Sequence, residues 1–198
     1  MNSESLAERL ILASSSKYRR MLLERLRVPF DCRAPAIDES ALEGESPLEL
    51  VTRLAVEKAA AVCHANPGAI VIGSDQVAVF NGRVIGKPGN FEMALEQLLS
   101  FSGQVVEFLT AVSVQRTETG FRRQHVDTTR VGFRNLQRAE IERYLDKEKP
   151  YDCAGAFKAE SLGIVLFDYI RSDDPTALIG LPLIRTAAML RQAGLRLP

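Results

Sequence analysis

Apolar runs and helical periodicities alternate along this chain, and the breaks between them carry most of its chemistry. Ala69-Ile70-Val71-Ile72 is wholly apolar, the pattern of a strand buried on both faces. The run stops at Gly73-Ser74-Asp75-Gln76 and resumes over Val77–Phe80. Asn81-Gly82 suits the two positive-φ positions of a type I′ hairpin turn, and the returning arm, Arg83–Gly86, ends at Lys87-Pro88. This pattern predicts Asp75 at the end of a buried strand, where a carboxylate needs a cation or a donor. It also predicts that Lys87 returns toward Asp75, so that an acid and a base face one cleft. The alternative is an ordinary hairpin with solvated ends.

The rest of the chain supplies elements around this hairpin. Leu10–Ala13 reads as a short buried strand, followed by Ser14-Ser15-Ser16-Lys17-Tyr18-Arg19-Arg20 and then Met21, Leu22, Leu23 and Leu26 at helical spacing. A strand feeding a Ser-rich turn into a helix aims free N–H groups and hydroxyls at one spot; a plain helix cap with exposed basic residues is the alternative. Phe30–Ala34 predicts a second strand, with Asp38-Glu39 in the loop beyond. Ser46-Pro47-Leu48-Glu49 is a capping-box signature for a helix through Leu50, Leu54 and Val62, with Glu57-Lys58 on its flank. Asn90 caps a helix through Leu98 and Leu99 that Phe101-Ser102-Gly103 ends. Gln104–Gln115 and Phe121–Arg134 predict two long strands. Ala139–Lys147 predicts a polar helix, Ile164–Ile170 a strand, and Gly180-Leu181-Pro182 the start of a final amphipathic helix that stops at Gly194. Helices interspersed with strands and one long hairpin predict an α/β fold with a mixed sheet.

Composition narrows the function classes. The 198 residues suit one domain, with residues 1–9 as a loosely ordered extension. The 25 basic and 25 acidic residues cancel, which argues against a nucleic-acid polymer as partner but leaves room for a small phosphate ligand. Cys32, Cys63 and Cys153 fit no CxxC pattern and read as reduced, buried thiols. His64 and His125 are too isolated for a zinc site. The N-terminal stretch carries two acids and no apolar core, and no run approaches the roughly 18 apolar residues of a membrane span. The expectation is a soluble cytoplasmic protein with no membrane partner.

Six motifs in order, Leu12-Ala13-Ser14-Ser15-Ser16-x-x-Arg19-Arg20, Asp38-Glu39, Glu57-Lys58-Ala59, Gly73-Ser74-Asp75, Gly86-Lys87-Pro88 and Gly180-Leu181-Pro182-Leu183, resemble the Maf family of nucleoside triphosphate pyrophosphatases. The resemblance runs from Leu10 to Gly194. It implies an elongated α/β structure, a mixed sheet flanked by helices with two lobes around a central cleft, similar to the inosine triphosphate pyrophosphatases. It implies hydrolysis between the α- and β-phosphates to a nucleoside monophosphate and pyrophosphate. Asp75 corresponds to the proton acceptor, and Glu39, Lys58 and Lys87 to further catalytic positions. Ser14, Ser16 and Arg19 correspond to the phosphate contacts, and Glu39 and Asp75 to contacts of a divalent metal, Mg²⁺ or Mn²⁺. Tyr18, Gln76 and Glu160 match positions tied to substrate choice. All three depart from the dTTP/UTP-cleaving pattern and resemble the YceF-type branch, to which 7-methyl-GTP pyrophosphatase activity is attributed. A homodimer is a family-level expectation. Cleavage of dTTP, UTP or a modified nucleotide, and a non-catalytic nucleotide-binding regulator of septum formation, are the competing readings.

The chemistry suits these residue types. Mg²⁺ takes oxygen ligands from one or two carboxylates plus substrate phosphates. Lysine and arginine complement charge on the leaving pyrophosphate. Asp75 is read as base first and metal contact second, because a charge-saturated ligand makes a poor base. Methylation at N7 gives guanine a positive charge that the Tyr18 ring face attracts. Glu160 suits guanine's N1–H and amine through charge-assisted bonds; the alternatives are a half-buried packing role for Tyr18 and, for Glu160, a salt bridge to Lys158 or another cation.

Overall fold

The computed structural model describes residues 9–197; the extension expected over residues 1–9 lies outside the described residues except for Arg9. Among the described residues, seven strands form one mixed sheet: β1 (Leu10–Leu12), β2 (Asp31–Cys32), β3 (Ile70–Phe80), β4 (Arg83–Ile85), β5 (Val105–Arg116), β6 (Phe121–Phe133) and β7 (Phe167–Arg171). The order is β2-β1-β3-β5-β6-β7, with β4 also paired to β3. β1 runs parallel to β2 and β3, and every other pairing is antiparallel. The α-helices are α1 (Lys17–Glu24), α2 (Pro47–His64), α3 (Phe91–Phe101), α4 (Arg138–Glu148) and α5 (Leu183–Gln192). The α/β class with a mixed sheet is the one expected.

The polar break does not end the strand. β3 runs for 11 residues straight through Gly73-Ser74-Asp75-Gln76, so Asp75 lies in mid-strand. β5 pairs with β3 from Val71 to Val79, and that ladder satisfies the backbone whatever side chains it carries. The opposite edge of β3 is divided. β1 covers it from Ile70 to Ile72 and β4 from Ala78 to Phe80, so Gly73–Val77 meets no strand on that edge among the described residues. The turn is as expected, with Asn81 at φ 49° and Gly82 at φ 74°.

Two apolar clusters flank the interrupted stretch. Ile70 and Ile72 pack with β1, α1 and α5, whereas Ala78 packs with α3, α4 and the phenylalanines Phe101, Phe108, Phe133 and Phe157. Ser46 and Glu49 form the capping box of α2, and the Asn90 side chain accepts from Met93 N at the start of α3. Two expected strands come out shorter. Only Asp31 and Cys32 of Phe30–Ala34 form strand, both exposed on an edge with β1 as their one strand neighbour among the described residues. Ile164–Ile170 divides into a 3₁₀ segment, Leu162–Leu166, and β7, because an apolar run alone does not separate helix from strand.

Candidate active site

The side chains of β3 alternate between two faces, and each face serves a different part of one cleft. Gly73, Asp75 and Val77 face α2. A Cβ on Gly73 would lie 2.2 Å from Ala55 O and 2.5 Å from Ala59 N, so only glycine lets the helix rest directly on the strand. That close approach brings Lys58 of α2 onto Asp75. Lys58 is therefore buried, contrary to the ordinary expectation for a surface Glu-Lys neighbour. Its ammonium donates to Asp75 Oδ1 at 2.7 Å and to Glu39 Oε2 at 2.8 Å. Asp75 is buried, whereas the Glu39 side chain is largely exposed at the cleft rim. Two carboxylates and one ammonium thus converge where the outer edge of β3 has no strand neighbour.

Ser74 and Gln76 face the other way, toward the turn at residues 174–183. The Ser74 hydroxyl lies 2.8 Å from Ala111 O and 3.0 Å from Gly180 O. Gln76 Nε2 donates toward Thr110 Oγ1 at 2.8 Å and toward the Ala177 and Leu178 carbonyls, each at 3.0 Å. Its amide nitrogen is therefore taken up in holding the cavity wall.

The turn after β1 supplies the next group. Ser16 caps α1, its Oγ accepting from Arg19 N, while Ser14 Oγ accepts from Ser16 N at 3.1 Å and from Arg19 Nη1 at 3.5 Å. Both serines are used as acceptors, which leaves their O–H groups to donate into the cleft. Arg19 Nε donates to Gly180 O at 3.0 Å. Burial pulls the guanidinium pKa down, opposed by the Asp75 and Glu39 carboxylates nearby.

A cleft of about 670 Å³ is lined by Ser14, Ser16, Tyr18, Arg19, Glu39, Lys58, Asp75, Gln76 and Lys87. It continues into a cavity of about 200 Å³ that adds Phe108, Cys153, Phe157, Glu160 and Leu178, the two parts sharing Ser16, Tyr18, Arg19, Gln76, Lys87 and Asp152. All the candidate residues line this continuous space, including Lys87, which follows the β4 arm and faces the same cleft as Asp75. A hollow of about 730 Å³ lies elsewhere against α2, but no candidate residue lines it, and its Arg53 is already paired with Glu45 and Glu57.

The inner cavity is chemically different. Tyr18 is half-buried, with Lys17 Nζ 5.0 Å from its ring centroid. Burial raises the pKa of its phenol, and the neighbouring Cys153 and Asp152 raise it further, so the hydroxyl stays neutral. Glu160 is exposed and has no hydrogen-bond or ion-pair partner among the described residues. Lys158, its nearest lysine in sequence, pairs with Glu148 instead, at 3.2 Å. Cys153 is half-buried beside Asp152, and burial pushes its thiol up to about 11. Of the three cysteines expected to be buried, Cys63 is, while Cys32 is exposed.

Sequence reasoning missed Asp152, which lines both parts of the cleft, and the scaffold under the Gly180 turn. Asp174 is buried. Its Oδ2 accepts from Ile184 N at 2.7 Å at the start of α5, and its Oδ1 accepts from Thr176 Oγ1 at 2.7 Å. The Asp174-Pro175 step, a turn signal ahead of a helix, was the available clue.

Comparison with protein-family models matches residues 9–193 to the family described as Maf-like protein. A 7-methyl-GTP pyrophosphatase of Albidiferax ferrireducens is 53% identical over 194 residues, covering 98% of this chain and 98% of that protein. A 7-methyl-GTP pyrophosphatase of Xanthomonas campestris is 58% identical over 190 residues, covering 96% of this chain and 98% of that protein. Among solved structures, the Staphylococcus aureus Ham1 protein is 18% identical with a TM-score of 0.46, covering 65% of this chain and 73% of that one.

Proposed function

The chain belongs to the Maf family, and from that premise we propose that it hydrolyses 7-methyl-GTP between the α- and β-phosphates, releasing 7-methyl-GMP and pyrophosphate. The observation that carries this reading is one continuous cleft with two chemically distinct ends. The outer part alone holds Lys58, Asp75 and Glu39 and the inner part alone holds the unpaired Glu160, while Tyr18, Arg19, Lys87 and Asp152 line both. The first suits a polyphosphate and the second a positively charged base.

In this reading Lys58 holds Asp75 through Oδ1 alone, and Oδ2 accepts no hydrogen bond among the described residues. Oδ2 is thus free to orient a water molecule and take its proton as attack on the α-phosphorus begins. Lys87, exposed and without a partner among the described residues, joins Arg19 and the Ser14 and Ser16 hydroxyls in complementing the phosphate oxygens. Lys58 stands ready to offset charge that grows on the leaving pyrophosphate.

The residues also fit a divalent cation. Glu39 and Asp75 are hard oxygen donors that both reach the Lys58 ammonium, and they would hold such an ion together with substrate phosphates. Mg²⁺ or Mn²⁺ held there would supply charge neutralisation of the phosphates. Turnover is expected to vanish in excess chelator and return on adding either metal.

The deciding experiment is a panel of 7-methyl-GTP, GTP, dTTP and UTP with separate detection of pyrophosphate and orthophosphate. The expected result is pyrophosphate as first product and the highest kcat/KM for 7-methyl-GTP. Orthophosphate as first product would move the attack to the γ-phosphate and end this reading. A preference for dTTP or UTP would overturn the substrate while leaving the reaction.

A further inference from the structure

Glu160 lines the inner cavity from a short turn, residues 158–161, that leads into the 3₁₀ segment Leu162–Leu166. Most of the side-chain bonds that anchor that loop go to one carboxylate on α4. Glu148 Oε2 accepts from Ser161 Oγ at 2.8 Å and from Leu162 N at 3.1 Å, and Oε1 accepts from Lys158 Nζ at 3.2 Å. The Lys158 ammonium also reaches Glu148 O at 3.1 Å, and Lys158 N donates to the Tyr144 hydroxyl at 3.2 Å. A Cβ on Gly163 would lie 2.4 Å from Lys158 O, so the loop closes tightly on itself around these bonds. The contacts flank Glu160 on both sides and none of them uses it.

We propose that Glu148 is a positioning residue for base selectivity: it fixes the loop that carries Glu160 and neutralises Lys158, leaving the Glu160 carboxylate unpaired for the ligand. Lys158 is two residues from Glu160 and, without the Glu148 carboxylate, its ammonium is released to pair with it; Arg19 and Lys87 also line the cavity, and removing Lys158 separates its effect from theirs. Such a pair would cancel the negative charge that favours a cationic base over a neutral one. The Glu148 side chain is 13% exposed and the Lys158 side chain 18%, so their pairing is only partly screened by solvent. Burial works against ionisation of Glu148, but the bonds from Ser161, Lys158 and Leu162 outweigh it and hold the carboxyl below its ordinary range. The proposal rests on the reading that Glu160 meets the base.

The test is the ratio of kcat/KM for 7-methyl-GTP to kcat/KM for GTP in wild type, E148Q, E160Q, the E148Q/E160Q double variant and E148Q/K158M. Glutamine at 148 still accepts from Ser161 and Leu162 but no longer neutralises Lys158. The ratio is expected to fall about tenfold in E148Q, with GTP turnover within about threefold of wild type. Removing the lysine in E148Q/K158M is expected to restore most of the ratio. In the E160Q background, E148Q should change it less than about twofold, because its effect passes through Glu160. An unchanged ratio in E148Q, with a collapsed ratio in E160Q, overturns the role of Glu148 and leaves that of Glu160. An equal drop from E148Q with and without Glu160 also overturns it. An unchanged ratio in E160Q removes Glu160 as a base contact and this proposal with it. Should E148Q not fold, S161A removes one of the anchoring bonds at low structural cost. Its ratio is expected to fall about threefold, and only when Glu160 is present.

Discussion

The two ends of the cleft solve opposite problems. At the outer end the carboxylates are compensated within the protein, Lys58 bridging Glu39 and Asp75, and Arg19 is fixed by Gly180 O and Ser14. At the inner end, Glu160 has no partner among the described residues, and the lysine nearest in sequence is bound elsewhere. A polyphosphate brings negative charge and can share a preorganised ammonium, so pairing in the free protein costs little when the ligand binds. A cationic base brings the missing positive charge itself, so a carboxylate already paired would discriminate weakly. The outer end is therefore held ready for chemistry, and the inner end is left unsatisfied for selection.

The strongest test of this contrast is Asp75→Asn. Asparagine keeps the shape and an oxygen for Lys58, which also retains Glu39, so thermal unfolding should stay close to wild type. Turnover should fall more than about 100-fold on every nucleotide, since no base remains. Near-normal turnover in the folded variant would remove Asp75 from the mechanism.

Glu160→Gln should act in the opposite manner. A charge-assisted pair is worth about 1.5–3 kcal/mol, so the preference for 7-methyl-GTP over GTP is expected to drop about 10- to 150-fold while the chemical step persists. Equal losses on both nucleotides would erase the division between the two ends.

Gly73→Ala probes how the outer end is built. The added methyl meets Ala55 O, so α2 must lift, at a cost of about 1–3 kcal/mol in urea-induced unfolding. Because the same helix carries Lys58, kcat should fall along with stability. Unaltered stability would show that α2 shifts freely and that the close approach does not set the Lys58–Asp75 distance.

The smallest expected effect belongs to Tyr18→Ala. Attraction of a cation to an aromatic face is worth about 0.5–2 kcal/mol, and Lys17 already lies over the Tyr18 ring. The variant should lose roughly 2- to 30-fold more kcat/KM on 7-methyl-GTP than on GTP. A loss shared equally would mean that the ring packs the cavity without sensing charge.

Local pattern, by itself, determined much of this protein. The apolar runs of β1 and β3, the Asn81-Gly82 turn, the capping box of α2 and the Asn90 cap follow from periodicity and from φ preferences, which act over a few residues. The return of Lys87 toward Asp75 follows from hairpin geometry alone. Tertiary structure decided the rest. β3 continues through its polar break because β5, some 35 residues later, supplies the hydrogen bonds. Lys58 is buried because Gly73 admits its helix, and nothing in a Glu-Lys-Ala triplet announces that approach. Gln76 holds a wall contributed by residues about a hundred positions away, and the freedom of Glu160 depends on which acid claims Lys158. Pairing between charges distant in sequence is a competition among partners, and only the folded chain brings those partners within reach.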